Sequence, residues 1–133
     1  MSSKYKTFCA VGDNHGHLVS GEAQEALAVF LSKNPCEVRI HLGDLNDFGA
    51  WRSGASQADI EEGTDEDLKC GREFLRILKP TVFHYGNHDK RALEQMDSRV
   101  GDTAEAARRA VRNVLDSLEA VGCKEVYSYK VIG

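Results

Sequence analysis

Three short segments concentrate side chains that bind metals or move protons: Asp13 with His15, Asp44 with Asp47, and Asn87 with His88. Carboxylate and amide oxygens together with imidazole nitrogen suit Mn, Fe, Zn or Mg. Two such ions held about 3.5–4 Å apart can clamp a phosphoryl group and activate a water between them. Asp44 is the natural bridge, because a carboxylate has two oxygens, whereas Asn87 offers one neutral acceptor to a single ion. Each segment alone has a plainer reading. Asp13 and His15 read as a loop turn with a surface histidine, and Gly43-Asp44 as an ordinary exit from a strand. The run Gly86, Asn87, His88, Asp89 is more specific, and the occurrence of all three segments in order is what points to a site.

The elements expected to position these groups follow from periodicity. Tyr5 to Gly12 is a short apolar run ending in Gly-Asp, as a buried strand opening into a loop would be. Ala23, Leu27, Phe30 and Leu31 recur at helical spacing between Gly21 and Lys33, and Pro35 stops that helix. Val38 to Leu42 gives a second strand closed by Gly43-Asp44, so strand, helix and strand alternate as in a parallel crossover unit. Leu45 to Gly63 reads as a long irregular loop, with Phe48, Trp51, Arg52 and the acidic stretch Asp59 to Asp67 expected to border the mouth of the site. Thr64 and Asp67 resemble a capping box opening a helix whose buried face is Leu68, Leu75 and Leu78 and which ends before Pro80. Thr81 to Tyr85 is the third strand and runs into the Gly86 loop. Ala104, Ala107, Val111, Val114, Leu118 and Val121 mark a long helix closed by Gly122, packing on a sheet, and Glu125 to Ile132 is a fourth strand-like run. The pattern is α/β, and in open α/β sheets ligands bind at the carboxyl ends of the strands, where all three segments fall.

The 133 residues have the make-up of one globular domain, and the formal net charge of -4 gives no overall attraction for nucleic acid. Arg108, Arg109 and Arg112 read as a solvated helix face. The four cysteines lie far apart without a C-x-x-C pair and read as reduced, mostly buried thiols. No run of eighteen apolar residues and no apolar leader stretch is present, so no membrane association and a cytoplasmic location are the expectation. Of the remaining histidines, His41 and His84 lie inside strands and are expected to pack or satisfy core hydrogen bonds, while His17 is expected to be exposed.

Asp13-Asn14-His15 resembles D-x-H, Gly43-Asp44 with Asp47 resembles G-D-x-x-D, and Gly86 to Asp89 resembles G-N-H-[D/E]. In order and spacing these are similar to the motifs of the calcineurin-like metallophosphoesterases. The resemblance implies an αββα sandwich, of which this chain would supply the first β-α-β-α-β half. It also implies hydrolysis of phosphate monoesters or diesters by a dinuclear centre, with manganese favoured. By the same resemblance Asp13 and His15 would bind the first ion, Asp44 would bridge, and Asn87 would bind the second ion and the substrate. His88 would be the general acid that touches the phosphate, and Asp47 would orient its ring. Asn14 and Gly16 would shape the first loop, glycine allowing the phosphate close to the backbone. The family adds two further histidine motifs downstream, yet no histidine follows Asp89, so a C-terminally truncated domain is the expectation. Phe48 stands where protein serine/threonine phosphatases carry arginine, which turns the reading toward a small phosphoester or a nucleotide. The alternatives are a nuclease of the same superfamily and an inactive fragment that only binds a phosphorylated ligand.

Overall fold

The computed structural model describes residues 6–51, 57–98 and 101–127. Strands β1 (Phe8–Val11), β2 (Val38–His41), β3 (Val82–His84) and β4 (Glu125–Tyr127) form one all-parallel sheet in the order β1-β2-β3-β4. Helix α1 (Gly21–Lys33) joins β1 to β2, α2 (Gln57–Leu78) joins β2 to β3, and α3 (Lys90–Ser98) with α4 (Gly101–Ala120) joins β3 to β4. Each strand adds beside its predecessor in the same direction, so right-handed crossovers stack the helices on one face. Side-chain alternation agrees. Cys9, Val11, His41 and Phe83 point toward the helices, whereas Phe8 is 66% and Leu42 58% exposed on the other side.

Local chemistry accounts for the elements. Ser20 caps α1 by accepting the Ala23 N–H at 3.3 Å, and the chain leaves the helix at Asn34, ahead of Pro35. Along α2, Leu68, Leu75 and Leu78 are buried, and along α4 Ala107, Ala110, Val114 and Leu118 are buried. Their spacings of three, four and seven residues lay two apolar stripes against Phe83 and against each other.

The structure corrects several expectations. Helix α2 begins at Gln57, not at Thr64, so the last part of the expected irregular loop, from Gln57 on, is helix. A run of Gln, Ala, Asp and Glu favours that start, and the single Gly63 costs only about 1 kcal/mol. Phe48 and Trp51, expected at the mouth, are 2% and 1% exposed and belong to the core. Helix α3, not anticipated, buries Ala92 and Gln95 over about two and a half turns, too short a stripe to stand out in sequence. The four thiols are free and only half-buried. Arg52 and the stretch 128–132 of the fourth strand-like run lie outside the described residues. Among the described residues there is one sheet.

Candidate metal centre

The three loops of interest leave the carboxyl ends of β1, β2 and β3, which are adjacent in the sheet. The first two are stitched together by backbone: Asp13 N–H donates to Gly43 O at 3.0 Å, His15 N–H to Asp44 O at 2.9 Å, and Gly16 N–H to Leu45 O at 2.8 Å. The stitching holds Asp13, His15 and Asp44 at positive φ (58°, 51° and 57°), a region that Asp and His enter more readily than most residues. Strained backbone of this kind persists only where surrounding structure fixes it. The third loop meets the second at a glycine pair. A Cβ on Gly43 would lie 2.6 Å from the Gly86 N, and one on Gly86 would run into Asp44.

Three buried polar side chains hold this framework from below. Asp89 accepts N–H bonds from Asp44 (2.7 Å), Asn46 (3.1 Å) and Gly86 (2.9 Å), tying the second loop to the third. Burial raises its carboxyl to about 6, and the three N–H donors only partly offset that desolvation. Asp67, on α2, accepts the N–H groups of Asp47 at 3.0 Å and Phe48 at 2.7 Å, which fixes Phe48 at φ 47°. His41 accepts the Gly43 N–H on Nδ1 at 3.1 Å, so the ring proton sits on Nε2 and is donated to Asn14 Oδ1 at 2.7 Å. Asn14 in turn donates to Leu45 O at 2.8 Å. Burial lowers the His41 pKa to about 3, which keeps the ring neutral and its hydrogen bonds directional.

Above this floor lie two groups of potential ligands, Asp13, His15 and Asp44 in one and His15, Asp47 and His88 in the other, with donor atoms within 4.8 Å of one another in each. His15 belongs to both through opposite nitrogens. Its Nε2 is 3.6 Å from Asp13 Oδ1 and 3.8 Å from Asp44 Oδ2, while its Nδ1 is 3.1 Å from Asp47 Oδ1. Donors around an ion bound at about 2.0–2.2 Å stand roughly 3–4 Å apart, so the first group fits a divalent cation. In that arrangement Asp47 would anchor the outer nitrogen of His15, as carboxylates commonly do for metal-bound imidazole.

His88 is held differently from expectation. Its Nδ1 lies 2.9 Å from the Asp47 backbone oxygen and 3.3 Å from Asp47 Oδ1. A carbonyl only accepts, so Nδ1 carries the proton and the carbonyl, more than the carboxylate, orients the ring. The Asp47 carboxylate lies closer to His15 than to His88. The His88 N–H donates to Asp44 Oδ1 at 2.9 Å, and the His15 and His88 rings meet edge to face at 4.5 Å.

No family model, curated protein or solved structure matches the chain.

Geometry therefore has to speak for each residue. Asp13, His15, Asp44, Asp47 and His88 converge, whereas Asn87 sits exposed in the turn before α3 with no side-chain hydrogen bond among the described residues. Gly16 needs to be glycine for another reason than phosphate access: a Cβ there would collide with the buried Asp67 carboxylate. His17 is exposed, with Nδ1 3.6 Å from Asp67 Oδ1. His84 stacks on Tyr127 at 5.2 Å. Sequence reading missed Asp67 and Asp89 as positioning groups and understated His41. An acidic residue at the centre of an otherwise apolar helix stripe, as Asp67 is beside Leu68, was the available signal. No helix among the described residues is long and apolar enough to cross a membrane.

Proposed function

We propose that the chain is a calcineurin-like metallophosphoesterase domain that hydrolyses phosphate esters with the help of two divalent ions, manganese favoured. The observation that carries this reading is the convergence of Asp13, His15 and Asp44 at the ends of two neighbouring parallel strands, each held at positive φ and spaced as ligands of one ion. The implied αββα sandwich would seat a second sheet on the face that presents Phe8 and Leu42.

Asp13, His15 through Nε2, and Asp44 would hold the first ion; Asn87, exposed and apart from that group, would reach a second ion beside Asp44 only by turning inward. When bound, such ions supply Lewis-acid polarisation of the phosphoryl oxygens and a water of lowered pKa. Asp44 holds the His88 backbone beside the first ligand group, since its Oδ1 accepts the His88 N–H. With Nδ1 committed to the Asp47 carbonyl, Nε2 is the nitrogen from which a protonated His88 gives its proton to the departing alkoxide, leaving a neutral alcohol. Asp47 Oδ1 sits between the two rings and keeps the ligand His15 and the acid His88 in fixed relative orientation.

Turnover of bis-p-nitrophenyl phosphate, p-nitrophenyl phosphate, nucleotides and single-stranded DNA with added Mn²⁺ tests the reading. The expected result is metal-dependent release of p-nitrophenol that Asp44→Asn abolishes and His88→Ala greatly slows. Turnover indifferent to Asp44→Asn, or none with any ester, sinks the proposal, and cleavage of DNA alone replaces it with a nuclease.

A further inference from the structure

We infer that a cleft beside the candidate metal centre receives the nucleoside part of a nucleoside monophosphate, an assignment that rests on the phosphoesterase reading and names its substrate class. The cleft encloses about 620 Å³, within the range of small-molecule sites. Asp13, His15 and Asp47 are among its lining residues, so a phosphoryl group held at Asp13 and His15 would have the rest of its ester beside the cavity. The body is apolar and reaches between β1 and α1, with Val11, Leu18, Leu27 and Phe74 on its walls. A flat, mostly apolar group suits those walls better than a polyol does.

Two further features narrow the class. Gln24 lines the same cleft, and its Oε1 is buried without a hydrogen-bond partner among the described residues. A shielded acceptor without a protein partner is costly, and an N–H on a ligand can satisfy it once the Gln24 side chain turns toward the cleft. Every nucleobase carries such a donor, whereas an alkyl or simple aryl alcohol has none. Among the described residues no lysine or arginine lines the cleft, so these offer no cation for additional phosphates. A monophosphate is therefore favoured over a di- or triphosphate.

The test compares the Mn²⁺-loaded protein with Ala23→Trp, which fills the cleft from its exposed rim, Gln24→Leu, which removes the acceptor, and Val29→Trp, an exposed site on α1 away from the cleft. Expected are a tenfold or greater fall in kcat/KM for adenosine 5′-monophosphate in Ala23→Trp, a smaller fall in Gln24→Leu, and no change for glycerol phosphate or in Val29→Trp. Equal loss for both substrates, or a wild-type preference for glycerol phosphate or adenosine triphosphate, overturns the inference. Amide chemical shifts of the metal-free protein titrated with adenosine give a second readout that needs no catalysis. Shifts confined to residues 11–27 and 74 support the cleft assignment even where no ester is turned over, in which case it is the phosphoesterase reading that fails. An absence of shifts overturns the cleft assignment.

Discussion

The rim of the candidate centre and its floor are both built from polar side chains, yet they are used in opposite ways. On the rim, Asp13 is 81% exposed, and the carboxylates of Asp13 and Asp44 face His15 at distances longer than hydrogen bonds. On the floor, Asp67, Asp89 and His41 are buried and spend their polar atoms on loop backbone or on Asn14. The difference teaches that the rim's donors are left for a ligand because the floor has already satisfied the loops that carry them.

Breaking the floor should therefore cost stability, and breaking the rim should cost binding. The largest effect is expected for Asp67→Ala, which strands the buried N–H groups of Asp47 and Phe48 and should cost about 2–6 kcal/mol in urea unfolding. Asp44→Asn keeps the shape and the acceptor for His88 but loses the charge, so Mn²⁺ affinity measured by electron paramagnetic resonance should fall at least about 100-fold with little change in Tm.

His41→Phe leaves Asn14 Oδ1 and the Gly43 N–H without partners, a loss of about 2–4 kcal/mol, and it also changes the pH profile. The folded His41 binds its second proton only near pH 3, against 6.5 for the free side chain. Between those values the unfolded chain binds more protons, so stability rises with pH and is lost on acidification, by about 1.4 kcal/mol per pH unit at most. Asp89, raised from 3.8 to about 6, acts in the opposite sense, lowering stability as pH rises through that interval. Urea midpoints between pH 4 and 6 should rise more steeply with pH in the wild type than in His41→Phe, and equal slopes would show that His41 is not held neutral.

Asp47→Asn sharpens the comparison within the rim. The His88 ring keeps its bond to the backbone carbonyl, whereas His15 loses its carboxylate partner. Mn²⁺ affinity should fall about 10–100-fold. An unchanged affinity with an altered pH–rate profile would return Asp47 to the single role of orienting His88. The smallest effect is expected at Arg108→Ala, which removes an exposed ion pair to Glu105 at 3.3 Å: under about 0.5 kcal/mol in stability and none in metal binding.

Legibility in the sequence followed the range of the interactions involved. Strands β1 to β3 and helices α1 and α4 could be read because an apolar period and its stop signals are local. The rim residues could be read because Asp13, Asp44 and His88 each follow a strand directly. The start of α2 could not be placed, since polar helix formers before Thr64 look like loop. The burial of Trp51 depends on α2 and on α3, whose Gln95 donates to the Trp51 carbonyl across 44 residues.

What the sequence by itself determined is the set of chemical groups and their delivery to one edge of a parallel sheet, because strand, loop and helix signals are short-range. Only the tertiary structure decided which atom faces which. Asp67 reaches Asp47 across 20 residues, Asp89 reaches Asp44 across 45, and His41 reaches Asn14 across 27. These contacts fix the positive φ values, the tautomers and the sharing of Asp47 between two histidines. No local pattern encodes them, since each exists only once the loops of neighbouring strands are packed against one another.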